Sequence, residues 1–113
     1  GHWGLFGGHV EPGESPADAV QRELEEEISW VPSAPLQLWF SDASGTRIAH
    51  VFRGPLTVPL EQLKLREGQD LKLASLEELC SETIWSDHCQ EQRPIAPGLS
   101  IVMRRLLAEM DDA

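Results

Sequence analysis

Basic residues are scarce in this chain: Lys and Arg number 9 against 19 Asp and Glu, giving a formal net charge of −10 over 113 residues. So few cations argue against a nucleic acid polymer as partner, because phosphate backbones are held by clustered Lys and Arg. Cysteine is scarce as well, with only Cys80 and Cys89. Two unpatterned thiols make no disulfide framework, and the spacing of His88 and Cys89 to other ligand types is too irregular for zinc. Reduced thiols and a cytoplasmic protein are the expectation. No apolar run approaches the ~20 residues that span a membrane, and no signal peptide is visible, so no membrane partner is expected. Repeats, low-complexity tracts and interdomain linkers are lacking too. With 41% hydrophobic and 25% charged residues, the chain reads as one globular domain, residues 1–113.

What the chain does have is acid, concentrated in one place. From Gly8 to Trp30 it reads GHVEPGESPADAVQRELEEEISW. Ser15 is a good N-cap, Pro16 suits the first helical position and Asp18 completes a capping-box spacing, which predicts a helix from Pro16 to Ile28. At ~100° per residue, Ala17, Val20, Leu24 and Ile28 form its apolar stripe. Glu23 and Glu27 lie along one edge of that stripe, Glu26 lies just beyond, and Arg22 and Glu25 point more nearly away. Glu23 and Glu27 repel as an i,i+4 pair, and Glu25 to Glu27 crowd the negative end of the helix dipole. Only Arg22 offsets this nearby. A divalent cation would resolve the clash, and oxygen-rich sites of this kind suit Mg²⁺ or Mn²⁺. The loop before the helix carries Gly7, Gly8 and Gly13, which permit φ > 0 and close approach of a phosphate or metal to the backbone.

Gly8, five residues, Glu14, seven residues, Arg22-Glu23-Leu24, one residue, then Glu26-Glu27: this pattern resembles the box of the Nudix hydrolase superfamily. It departs at the end, where Ser29 stands in place of a glycine that serves the helix C-cap and Trp30 in place of an aliphatic residue. The resemblance implies an α/β/α sandwich around a mixed β-sheet. It implies Glu23 and Glu27 as main ligands of Mg²⁺ or Mn²⁺, Glu26 as a third or water-mediated ligand, and the carbonyl of Gly7 as a further one. Arg22 is similar to the residue that orients the box carboxylates by pairing with Glu14 or Glu23. The implied reaction is attack of water on phosphorus in a nucleoside diphosphate derivative linked to another group. Glu67, in Leu65-Arg66-Glu67-Gly68-Gln69-Asp70, resembles the loop glutamate that some mutator-type 8-oxo-dGTP hydrolases place over the metal. It is either a catalytic base or extra ligand, or a solvated loop glutamate.

Elsewhere the pattern predicts strands over Leu36–Ser41, over Arg47–Val58 as one or two strands interrupted at Gly54-Pro55, and over Leu71–Ala74. Ser75-Leu76-Glu77-Glu78 reads as a capping box opening a short helix. After the breaker Pro94–Pro97, a terminal amphipathic helix carries Leu99, Val102, Met103, Leu106 and Met110. Trp39, Phe40 and Phe52 read as core; Trp3 and Phe6 pack beneath the glycine loop or line a pocket. The box begins close to residue 1, whereas proteins of the resembled superfamily carry several tens of residues before it. The expectation is a domain lacking its N-terminal strands, whose sheet edge invites pairing into a homodimer. A catalytically silent Nudix-like module that binds a nucleotide or a protein is the alternative to the enzyme.

Overall fold

The computed structural model describes residues 2–6, 10–43, 48–66 and 70–111. Its elements mix helices with short antiparallel strand pairs, an α/β composition as expected, in two compact units: residues 6–67, and residues 1–5 together with 68–113. No helix among the described residues is long and apolar enough to cross a membrane.

In the first unit, helix α1 runs from Pro16 to Ile28. Ser15 stays extended and its Oγ accepts the Asp18 N–H at 3.1 Å, which satisfies one of the donors a helix start leaves open. The buried side chains of α1 are Ala19, Leu24 and Ile28. Ala17 is exposed, a correction to the expected stripe. The packed face is turned by about half a residue's arc, which brings Glu23 and Glu27 between buried positions instead of along their rim. The helix ends at Ser29, which takes the left-handed conformation (φ 55°, ψ 37°) and donates its N–H to Glu25 O at 3.0 Å. Serine thus fills the geometry for which glycine is suited. The last carbonyls of α1 are satisfied from a distant segment: Lys64 N–H donates to Ile28 O at 3.0 Å and Arg66 N–H to Glu27 O at 2.7 Å.

Strands β1 (Gln37–Asp42) and β2 (Ala49–Arg53) pair antiparallel, with Leu38 opposite Phe52 and Phe40 opposite Val51. Trp39 is the extra residue of a bulge between them, and the local bend sets its ring edge-on to Phe40 at 5.2 Å and beneath the Arg53 guanidinium at 4.6 Å. These aromatics are half-buried, as is Phe52, because a two-stranded ribbon covers only part of a large ring. A single 3₁₀ turn follows at Leu60–Gln62.

In the second unit, Ser75 opens helix α2 (Leu76–Leu79) with the expected capping box, its Oγ accepting the Glu78 N–H and Glu78 Oε1 accepting the Ser75 N–H. Strands β3 (Thr83–Ser86) and β4 (Glu91–Pro94) form an antiparallel hairpin that the sequence pattern did not announce. Conversely, Leu71–Ala74 is not a strand: the Leu71 N–H is taken by Asp70 Oδ1 at 2.7 Å and Lys72 is drawn to the Trp85 carbonyl and Glu78, so the segment spends its polar groups on side chains. Trp3 forms a parallel bridge to Ile95 and donates its indole N–H to Ile84 O at 2.9 Å. Around residues 94–96 the pairing is therefore parallel on one side and antiparallel on the other. Phe6 is exposed. Helix α3 (Pro97–Asp111) buries Leu99 and Met103 and half-buries Val102 and Leu106, while Met110 stays exposed.

Candidate active site

The acidic helix does not stand alone; a turn folds back to meet it. Glu11-Pro12-Gly13-Glu14 closes with the Glu14 N–H donating to Glu11 O at 3.0 Å, and Gly13 takes φ 81°. Proline second and a positive-φ glycine third is the arrangement of a type II turn. Any side chain at position 13 would meet open space but a strained backbone. The turn carries the Glu14 carboxylate back over α1, where Oε1 also accepts the Glu11 N–H at 3.0 Å.

There it meets Arg22. The guanidinium grips Glu14 with two parallel bonds, Nε to Oε2 at 2.8 Å and Nη2 to Oε1 at 3.1 Å. This is the fork geometry in which arginine binds carboxylate most strongly. The remaining nitrogen, Nη1, donates to Glu23 Oε1 at 3.0 Å and to Glu26 Oε2 at 3.3 Å, with Glu11 Oε1 at 3.8 Å. Arg22 consequently does not point away with Glu25, as helical angle alone suggested. Its long stem lets it reach across the face to both Glu14 and Glu23, the two partners expected for it.

Electrostatics follow from that layout. The Arg22 bonds, helped by the Glu11 N–H, hold the Glu14 carboxyl below the usual glutamate range, and Glu14 in turn raises the already high pKa of Arg22. Both are charged throughout the neutral range. Within 4 Å, four carboxylates share one guanidinium, so the cluster keeps an excess of negative charge. Glu23 and Glu14 are the more enclosed, with side chains 13% and 15% exposed, whereas Glu26 is 49% exposed. Glu27 is half-buried at the end of the same face, beside the backbone that Arg66 ties down.

The structure therefore brings Arg22, Glu23 and Glu26 together with Glu14, and keeps Glu27 on the adjoining turn. Gly7 and Glu67, the other expected ligands or base, lie outside the described residues, as does His9 in the glycine loop. Glu11 is a member of the cluster that sequence reading passed over; the Pro12-Gly13 dipeptide, a turn signal, was the clue that it would be folded back. Among the described residues, no three His, Cys, Asp or Glu side chains converge as a ready-made metal cage. The donor set still suits a hard cation, since Mg²⁺ keeps much of its water shell and needs only one or two carboxylates plus substrate phosphates.

No curated protein and no solved structure matches the chain. A family model described as NUDIX domain matches residues 1–96, a stretch that holds the glycine loop, the Glu14–Arg22 fork and every box carboxylate. With most of its length inside that match and the box spacing intact, the chain belongs to the NUDIX domain family.

Proposed function

We propose that this chain is a metal-dependent hydrolase that cleaves a phosphoanhydride bond in a nucleoside diphosphate linked to another group. The observation that carries the reading is the over-filled carboxylate cluster at the start and face of α1: Glu23 and Glu26 from the helix and Glu11 and Glu14 from the turn before it surround one arginine, with Glu14 and Glu23 largely enclosed. That arrangement attracts a further cation. Glu23, Glu26 and Glu27 would hold Mg²⁺ or Mn²⁺ together with the substrate phosphates. When bound, such an ion neutralises phosphate oxygens and lowers the pKa of attacking water.

The protein's own contributions are positional. The Glu14–Arg22 fork fixes the side of α1 that faces the substrate, and Arg22 Nη1 sets the Glu23 carboxylate at 3.0 Å. The Arg66 N–H bond to Glu27 O holds residue 66 at the end of the box, and Glu67, next in the sequence, is proposed as the base that takes the proton from water, or as an extra ligand. The test is a panel of sugar nucleotides, dinucleoside polyphosphates, ADP-ribose and oxidised nucleotides, assayed for phosphate or nucleotide release with Mg²⁺ and Mn²⁺. Turnover on one class, reduced ~10²-fold or more by Glu67→Gln, is the expected result.

One observation favours a second reading, the silent module: Arg22 already occupies Glu23 and Glu26, and no three-carboxylate cage exists among the described residues. Tight metal or nucleotide binding without turnover on any member of the panel would decide for it. A homodimer belongs to the proposal as well, supported by the short β1–β2 ribbon with Leu38 and Ile48 exposed. Light scattering at micromolar concentration tests it, and a stable monomer would remove it.

A further inference from the structure

Arg22 makes two kinds of contact. Nε and Nη2 are both spent on Glu14, at 2.8 and 3.1 Å, in a fork anchored outside the cluster by the Pro12-Gly13 turn. Nη1 reaches the box carboxylates, at 3.0 Å to Glu23 and 3.3 Å to Glu26. One arginine is thus held by one glutamate and lends a single nitrogen to two others. Those two are ligands in the proposed site. We infer that Arg22 Nη1 is a resident counter-cation that competes with the divalent metal for Glu23 and Glu26, with Glu14 as the anchor that keeps the guanidinium in place when the metal displaces that one nitrogen. This rests on the metal-site reading above and deepens it.

The physical argument is one of matched exchange. Without a cation, Glu23 and Glu26 would repel each other and Glu27 across one helix turn, and Arg22 removes that cost in the metal-free protein. A divalent ion offers more charge at the same oxygens, yet must first break the Nη1 bonds. Because the two fork bonds to Glu14 fix the planar guanidinium without using Nη1, displacement needs only the Glu23 and Glu26 carboxylates to turn off Nη1 and leaves the Glu11–Glu14 turn closed. Metal affinity is then set partly by how firmly Nη1 holds on. A purely orienting arginine predicts the opposite dependence: removing it would disorder the carboxylates and weaken the metal.

Calorimetric titration of Mn²⁺ alone into the metal-free full chain separates these. Arg22→Met should tighten Mn²⁺ binding by roughly three- to tenfold, the factor that loss of partly exposed ion pairs converts to. Arg22→Lys keeps the charge and should retain the fold, but a single ammonium cannot hold Glu14 and reach Glu23 together; it should tighten binding as well. Glu14→Gln, which loosens the anchor and lets the guanidinium settle on Glu23 and Glu26, should weaken it. Unchanged or weaker binding in Arg22→Lys overturns the competition, and it does so even if Arg22→Met fails to fold. No Mn²⁺ binding by the parent protein overturns the metal-site reading itself, and the competition with it. Parent binding with the wrong order among the variants sinks the competition alone.

Discussion

Each of the two units is organised around one ionic side chain, and the two are satisfied in opposite ways. Around Arg22, acceptors outnumber the donor charge: Glu11, Glu14, Glu23 and Glu26 crowd one guanidinium. Around Asp70, neutral donors match one carboxylate. Oδ2 accepts the Ser86 hydroxyl at 2.6 Å and the His88 N–H at 3.2 Å, while Oδ1 takes the Leu71 N–H. Ser86, 1% exposed, passes the network on by accepting the Cys89 N–H at 3.1 Å. Burial raises the pKa of Asp70, but the bonds from Ser86, Leu71 and His88 outweigh it and leave the carboxyl below the ordinary aspartate range. A carboxylate held by three neutral donors is a staple for the β3–β4 turn. A carboxylate cluster still short of positive charge among the described residues is where the proposed cation would bind.

Exchanging charge for amide in each cluster is the strongest way to break this contrast. Glu23→Gln should lower turnover ~10²-fold or more in Mg²⁺, as loss of a direct metal contact does, with the melting temperature nearly unchanged. Asp70→Asn should do the reverse. Asparagine keeps one acceptor oxygen and sets an NH2 donor where the other stood, so either the Leu71 N–H or the Ser86–His88 pair loses its acceptor, at a cost of about 1–3 kcal/mol measured by urea unfolding, with turnover retained where the protein stays folded. If Glu23→Gln proved the less stable protein and Asp70→Asn the inactive one, the assignment of roles would be inverted.

Acid sharpens the same comparison. Because the folded-state pKa of Asp70 lies below its unfolded value, its contribution is present above about pH 3.9 and is lost as pH falls through the lower folded value. Glu14 acts in the same direction. Asp70→Asn should flatten part of the acid limb of the stability curve; an unaltered limb would show that other carboxylates carry it. A smaller change is expected at Ser29. Its left-handed backbone is costly for a residue with a Cβ, and its buried Oγ has no hydrogen-bond partner among the described residues. Ser29→Gly should therefore stabilise by about 0.5–1 kcal/mol, and a loss of stability would mean that the hydroxyl does hold something. Smallest of all is Glu78→Gln. Glutamine preserves the Ser75 capping box and forfeits only the exposed pair with Lys72, so thermal melting should scarcely distinguish it from the parent.

The parts legible in the sequence were those fixed by local chemistry. Ser15 and Pro16 marked the start of α1, Ser75 and Glu78 marked α2, and the glutamate spacing pointed to the family. What escaped was set by partners far along the chain. Glu91-Gln92-Arg93-Pro94 has little intrinsic strand character and becomes a strand only because Thr83–Ser86 lies opposite it, with Thr83 bonded to Gln92. Leu71–Ala74 looked extended and apolar, yet Asp70 captured its first N–H. Within the site, helical angle put Arg22 on the wrong side because it places the Cα and ignores the reach of a four-atom stem. The Asp70–Ser86 staple had no signal in sequence at all, since its members are separated by 16 positions.

The two backbone bonds from Lys64 and Arg66 to the last carbonyls of α1 have a consequence for how this protein can vary. They clamp the chain on both sides of the segment between Ser29 and Leu63, so the end of the acidic helix is insulated from the length of what lies between. Closing a longer excursion costs only about 0.6 kcal/mol per doubling. Insertions near the β1–β2 connection should be tolerated far more readily than a single deletion between Leu63 and Arg66, which would slip the clamp by one residue and leave the Glu27 carbonyl without its donor.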